Sequence, residues 1–140
     1  GTRAYQMALY VTFESGIQML SDNPTFYLRD KDCTDFMTSV PVTWDETKVL
    51  AASVGEYLVV AKRKGIQWFI GGITAEKGHE IEISLDFLEN NRSYQMTMFT
   101  DGLNAGLQAL DYNKESKTVS KAQALKVKMV RNGGFAAVLK

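Results

Sequence analysis

The chain has 140 residues, enough for one domain with its own hydrophobic core. Sixteen basic and sixteen acidic residues cancel, which excludes an electrostatic case for binding nucleic acid or an anionic membrane surface. No apolar run approaches the roughly 18 residues of a membrane-spanning helix, and a single cysteine, Cys33, excludes an intrachain disulfide.

The first predicted element is a helix over residues 2–21 with little polar surface. Its apolar face is formed by Met7, Leu9, Val11, Phe13, Ile17 and Leu20. A helix this apolar is buried on more than one side, so we expect a second large neighbour and a chain cut from a longer protein. Alone, the helix between Ala4 and Leu20 is expected to fold onto its own domain or to pair with a second copy, and pairing is favoured.

A connector and a run of strands are predicted next. Residues 23–47 contain one short helix with Cys33, Phe36 and Met37 facing inward. From Lys48 the hydrophobic period becomes two, and two strand-like runs flank a turn at Lys64. Further runs lie at residues 79–88, 93–102, 117–120 and 124–139. About eight strands without crossover helices predict a mainly β fold, an antiparallel β-sandwich over residues 48–140.

The stretch VPVTWDETKVL contains two adjacent carboxylates, Asp45 and Glu46. Glycoside hydrolysis needs two carboxylates about 5–9 Å apart across a cleft, whereas neighbouring side chains of an extended segment point to opposite faces. We interpret the pair as part of a turn in which Asp45 or Thr43 hydrogen-bonds local backbone before the first strand.

Other candidate sites are weaker. Cys33 lacks a base, because the one histidine, His79, lies in a predicted turn. FTDGLNAG places Asp101 and Asn104 in a loop that resembles part of a calcium loop but lacks its ligand order and distant glutamate. A hairpin turn is the favoured interpretation, so no catalytic, cofactor-binding or metal residue is assigned, and an independent small enzyme is the weakest hypothesis.

Six aromatic side chains allow two interpretations: Trp44, Tyr57, Trp68, Phe69, Tyr94 and Phe99. They form a sugar-binding platform if exposed on one face, and they belong to the core otherwise. Core packing is favoured. Exposure of Trp44, Trp68 and Tyr94 separates a carbohydrate-binding module from a structural domain.

Three segments resemble the C-terminal part of glycoside hydrolase family 97: GTRAYQMALYVTFESGIQMLSDNP, VPVTWDETKVLAASVGEYLVVAKRKGIQWFIGGIT and FTDGLNA. The resemblance covers essentially the whole chain. It implies a parent α-glucosidase or α-galactosidase with an N-terminal β-super-sandwich, a (β/α)8 barrel and a C-terminal β-sandwich. On this basis residues 1–22 are the last barrel helix, residues 23–47 the connector and residues 48–140 the C-terminal β-sandwich.

The resemblance also implies a function. The chain is expected to be a non-catalytic region that stabilises the barrel of an enzyme acting on α-linked oligosaccharides, with a carbohydrate-binding module as the alternative. Its partner is the rest of the parent enzyme, and the location is periplasmic or secreted. The family's catalytic carboxylates and calcium-binding glutamates lie upstream, so calcium is expected for the parent and no cofactor for this segment. Asp45 and Glu46 are expected to fix the start of the sandwich, with Trp44 packed at the domain junction.

Overall fold

A computed structural model describes residues 1–13, 31–107 and 111–140 of the chain. Two helices, α1 (Arg3–Thr12) and α2 (Lys31–Ser39), precede the strands. The strands are β1 (Glu46–Ser53), β2 (Tyr57–Lys64), β3 (Gln67–Thr74), β4 (His79–Ser84), β5 (Ser93–Asp101), β6 (Tyr112–Ser120), β7 (Ala124–Met129) and β8 (Gly134–Leu139). The predicted mainly β, antiparallel fold after an N-terminal helix is confirmed. Within the described ranges, neither helix is long and apolar enough to cross a membrane.

The two sheets of the sandwich differ greatly in size. Six strands form one sheet in the order β1-β2-β3-β8-β5-β6, and β4 pairs with β7 in a second sheet of two strands. Strand β6 is five residues longer at its start than the predicted 117–120. Residues 113–116 near its start are polar and exposed at the edge of the sheet, so apolar alternation could not reveal them.

The first core lies between the two sheets. Along β7 the residues alternate between exposed and buried, so that Leu125, Val127 and Met129 face the larger sheet. The central strands of that sheet supply most of the opposing side chains: Val59, Ala61, Trp68, Ile70, Met96, Met98, Phe135, Ala137 and Leu139. This core therefore follows the period-two pattern of the sequence.

The second core lies on the other face of the large sheet, under the two helices. Met7, Ala8 and Val11 of α1 are fully buried there, and Phe36 of α2 packs edge-on against Phe69 and Phe99. A Cβ at Gly71 in β3 would lie only 2.8 Å from the Val11 side chain. The absence of that Cβ lets α1 approach the strand closely.

Helix α1 buries only part of its predicted apolar face. Met7, Ala8 and Val11 are fully buried, whereas Leu9 is half-buried and Phe13 is 53 % exposed. The small alanine side chains permit a close approach to the sheet, while a hydrophobicity ranking places Leu and Phe above them. The helix packs on the sheet of its own chain, which is the first of the two arrangements expected for it. Residues 14–21 of the predicted helix, with Ile17 and Leu20, lie outside the described residues.

Candidate functional site

Asp45 and Glu46 belong to a charged cluster at the start of β1. Glu46 lies opposite Arg63 in the β1–β2 register and accepts a hydrogen bond from its Nε at 3.2 Å. Asp45 accepts the backbone N–H of Gly65 at 2.8 Å. The contact to Gly65, in the turn between β2 and β3, is distant in sequence, so the predicted bond to local backbone is wrong. We call Thr43, Asp45, Glu46, Arg63 and Lys64 the junction cluster.

The charges of the junction cluster favour ionised carboxylates. The N–H of Gly65 is the main factor that lowers the pKa of Asp45, and Lys48 followed by Arg63 lowers the pKa of Glu46. A general acid needs a raised pKa in order to hold its proton near neutral pH. The cluster is suited to fixing the first strand against the β2–β3 turn.

Trp44 covers the neighbouring end of the second core. Its ring packs edge-on against Phe69 at 5.4 Å between centroids, and the Lys62 ammonium lies 5.6 Å above it. The side chain is half-buried. Trp68 and Tyr94 are almost wholly buried between the two sheets. The aromatics therefore do not form the exposed platform that a carbohydrate-binding module requires.

A buried carboxylate, Asp101, joins three parts of the fold. The Thr2 hydroxyl donates to its Oδ1 at 2.6 Å, and the N–H groups of Val130 and Gly134 donate to its Oδ2 at 2.9 and 3.1 Å. Thr2 is the N-cap of α1, and its Oγ1 accepts the N–H of Tyr5. We call Thr2, Asp101, Val130 and Gly134 the Asp101 site. It fastens the start of α1 to the end of β5 and to the β7–β8 turn.

The surroundings of Asp101 do not suit a cation. Its two oxygens face three hydrogen-bond donors, whereas a calcium ligand directs its lone pairs at the ion. Burial raises the pKa of Asp101, and its hydrogen bonds oppose that shift. Across residues 1–13, 31–107 and 111–140, no group of three or more His, Cys, Asp or Glu side chains is placed to hold a metal ion.

The sequence offered partial signals for the Asp101 site. Thr2 precedes a helix, and Asp101-Gly102 and Asn132-Gly133 each suggest a turn. The pairing of residues 2 and 101 is a long-range contact that no local pattern contains. Cys33, the other side chain considered for chemistry, is fully buried beside the Met7 sulfur, and His79 packs against the ring of Tyr57.

The outer face of α1 is the remaining feature that suggests a function. Leu9 lies on a different side of α1 from the buried Met7 and Val11, and Phe13 is the C-cap residue of the helix. Leu9 is half-buried, and Phe13 is 53 % exposed. Helix α1 therefore has apolar side chains both towards its own sheet and away from it.

A family model described as "Glycosyl-hydrolase 97 C-terminal, oligomerisation" matches residues 43–140. A "Retaining alpha-galactosidase" from Bacteroides thetaiotaomicron is 45 % identical over 140 residues, which is 100 % of this chain and 21 % of that protein. A "Probable retaining alpha-galactosidase" from Streptomyces bingchenggensis is 34 % identical over 135 residues, covering 96 % of this chain and 20 % of that protein. The chain thus spans about a fifth of the length of these curated relatives.

Two solved structures share the fold of this chain. A glycoside hydrolase family 97 enzyme from Pseudoalteromonas sp. strain K8, in complex with acarbose, superposes with a TM-score of 0.86 at 31 % identity, over 98 % of this chain and 22 % of that chain. A β-arabinopyranosidase superposes with a TM-score of 0.65 at 23 % identity, over 80 % of this chain and 17 % of that chain, a likeness in fold alone.

Proposed function

Because this chain belongs to the family of glycosyl-hydrolase 97 C-terminal domains, we propose that it is a non-catalytic domain that stabilises the catalytic barrel of a glycoside hydrolase. The names of the two curated relatives support a retaining α-galactosidase as the parent enzyme. The proposal includes a periplasmic or secreted location and a calcium ion held by the upstream domains. The rest of the parent enzyme is then the partner of this chain.

The observation that carries the proposal is the two-sided apolar surface of α1. Met7, Ala8 and Val11 pack on the sandwich, and Leu9 and Phe13 remain available on the other side. Each large apolar side chain left in water forgoes about 1.5–3 kcal/mol of burial. A barrel on the outer face recovers that energy, so that α1 is shared by two domains.

The position of α1 in a complete enzyme supports the same proposal. The superposition on the Pseudoalteromonas enzyme covers nearly all of this chain, although the chain is about a fifth of that enzyme. If α1 lay on the sandwich only because the barrel is missing, the superposition on the Pseudoalteromonas enzyme would not be expected to extend over α1.

The experiment compares the full-length enzyme with the 140-residue chain. Leu9→Ser with Phe13→Ser should lower the melting temperature of the full-length enzyme by several degrees and that of the 140-residue chain much less. Val49→Ser is the control, because Val49 is 63 % exposed on the edge strand β1, away from α1. Equal effects of the two changes on the full-length enzyme in scanning calorimetry would contradict the proposal.

Catalysis provides a second test. The 140-residue chain should hydrolyse neither aryl α-galactosides nor aryl α-glucosides, since Asp45 and Glu46 are held by Gly65 and Arg63. Turnover above the buffer rate that disappears in Glu46→Gln would show that this segment is catalytic.

Oligomerisation is a second candidate function, favoured by the description of the matched family and by the exposed Phe13. On this hypothesis the outer face of α1 contacts another copy. Light scattering on the 140-residue chain would then show a dimer that Phe13→Ser dissociates. A monomer at all concentrations supports the barrel as the occupant of that face.

A further inference from the structure

A short loop after β5, residues 102–107, carries two exposed leucines. Leu103 and Leu107 are 100 % and 91 % exposed, whereas Ala105 between them is 5 % exposed and anchors the loop. Two fully hydrated leucine side chains on one six-residue loop are costly unless something covers them.

Hydrogen bonds hold the 102–107 loop in one conformation. The Asn104 N–H donates to Oδ2 of Asp111 at 2.8 Å, and the Gly102 N–H donates to the Asp111 carbonyl at 3.2 Å. Turn bonds follow from Ala105 to Gly102 at 3.1 Å and from Leu107 to Asn104 at 2.9 Å. A Cβ at Gly102 would collide with the Asp111 carboxylate, so a larger residue there would displace the acceptor of the Asn104 N–H. A loop braced in this way loses little conformational entropy when it binds.

The base of the loop lies next to the N-terminus of α1 in space. Asp101, the last residue of β5, accepts the Thr2 hydroxyl at 2.6 Å, and Leu103 follows two residues later. Two residues span at most about 7 Å. Any domain joined to α1 through Gly1 therefore starts close to the base of the 102–107 loop.

The area available argues against a second copy of the chain as the occupant. A stable protein–protein interface buries about 800 Å² on each partner, far more than two leucines on a small loop supply. A covalently attached domain needs much less area, because the linkage makes its effective concentration very high. The relative from Bacteroides has about four-fifths of its length outside the matched part, as the chain covers 21 % of it.

We propose that the 102–107 loop docks Leu103 and Leu107 into an apolar depression on the catalytic domain that precedes Gly1 in the full-length enzyme. This rests on the proposed function and adds a second contact to the outer face of α1. The Asp101 site holds the two contacts in a fixed relation, because it binds the base of the loop to the N-cap of α1. The resulting two-point attachment fixes the orientation of the sandwich relative to the barrel.

Cysteine labelling tests the contact directly. Leu103→Cys is made in the full-length enzyme and in the 140-residue chain, and alkylation at residue 103 is followed by peptide mass spectrometry. Ile66→Cys is the matched control, since Ile66 is 60 % exposed in the turn that precedes β3, at the other end of that strand from the Asp101 site. The native Cys33 is fully buried.

Labelling at residue 103 should be at least about tenfold slower in the full-length enzyme than in the 140-residue chain. Labelling at residue 66 should be the same in both proteins. Leu103→Ser with Leu107→Ser should shorten the thermal inactivation half-time of the full-length enzyme several-fold and leave the melting temperature of the 140-residue chain unchanged. Ile66→Ser should change neither.

Equal labelling at residue 103 in the two proteins overturns the inference. Protection that appears in the 140-residue chain and grows with its concentration assigns the loop to a second copy and also overturns it. The proposed function is judged separately, by the effect of Leu9→Ser with Phe13→Ser. If that change destabilises the full-length enzyme while residue 103 is labelled equally fast in both proteins, the proposed function is supported and the loop contact is rejected.

Discussion

The junction cluster and the Asp101 site each use an aspartate to accept backbone N–H groups, but they lie in opposite environments. Asp45 is exposed, and the N–H of Gly65 lowers its pKa. Asp101 is 8 % exposed, and burial raises its pKa although three donors face it. Similar hydrogen bonds thus favour ionisation at the surface and fail to balance desolvation in the interior. The burial of the carboxylate, more than the number of its hydrogen bonds, decides what its removal costs.

The largest difference is expected for removal of the two carboxylates. Asp101→Ala leaves the Thr2 hydroxyl and the Val130 and Gly134 N–H groups without their acceptor, at a cost of about 3–5 kcal/mol in the free energy of unfolding. Asp45→Ala exposes the Gly65 N–H to water and should cost far less. Urea denaturation of both variants measures the difference. Equal losses would mean that water replaces the acceptor at the buried site.

The N-cap provides an intermediate effect. Thr2→Val removes the acceptor of the Tyr5 N–H and the donor to Asp101, and should cost about 1–2 kcal/mol. Thr2→Ser keeps the hydroxyl and serves as the control. Amide hydrogen exchange should accelerate along α1 in Thr2→Val while the amides of β3 stay protected. Uniform acceleration would show that α1 and the sheet open as one unit.

The pH dependence of stability should separate the two sites by sign. The pKa values of Asp45 and Glu46 are lowered on folding, so their contribution is present above the unfolded values near 4 and is lost as pH falls further. The pKa of Asp101 is raised, so the folded state binds more protons just above pH 4 and stability decreases as pH rises through that window. Unfolding free energies measured between about pH 3 and 6 should therefore fall less steeply on acidification in Asp45→Asn with Glu46→Gln. In Asp101→Asn the fall should be steeper, and the same slope in all variants would refute the assignment.

The smallest effect is expected for salt at the junction cluster. The Glu46–Arg63 and Glu46–Lys48 pairs are partly exposed, at 3.2 Å each. Ions at about 1 M reduce the screening length to about 3 Å, so the coupling of Glu46 and Arg63 in a double-mutant cycle should vanish there. A coupling that persists at high salt would indicate that the hydrogen bond, and not the charge, holds the pair.

The β-sandwich was predictable because its core obeys a local rule. Leu125, Val127 and Met129 of β7 alternate with lysines, and this pattern is visible in the strand without knowledge of its partner. The turns at Lys64-Gly65 and Asn132-Gly133 were predicted from their residue types. In the structure Gly65 and Asn132 have the positive φ angles that such turns require. The predicted core packing is confirmed for Tyr94, which lies in an alternating strand, and for Trp68, which lies in a run that is apolar on both faces.

The inner face of α1 was not predictable in this way. The pattern placed Met7, Leu9, Val11 and Phe13 on one broad apolar face. The fold turns only Met7 and Val11 of that face, together with Ala8, towards the sheet, where the missing Cβ of Gly71 leaves room for Val11. The bond from Asp45 to Gly65 was missed for a related reason, since it depends on where the β2–β3 turn lies in space.

The amino-acid sequence by itself determined the class of the fold, the strands with their inward faces and the family, because periodicity and motifs are properties of neighbouring residues. Only the tertiary structure decided the six-and-two division of the sheets, the side of α1 that meets the sandwich and the burial of Asp101 beside Thr2. These features join residues that lie far apart in the chain. Their free energy comes from shape and desolvation at the contact, which no single segment contains.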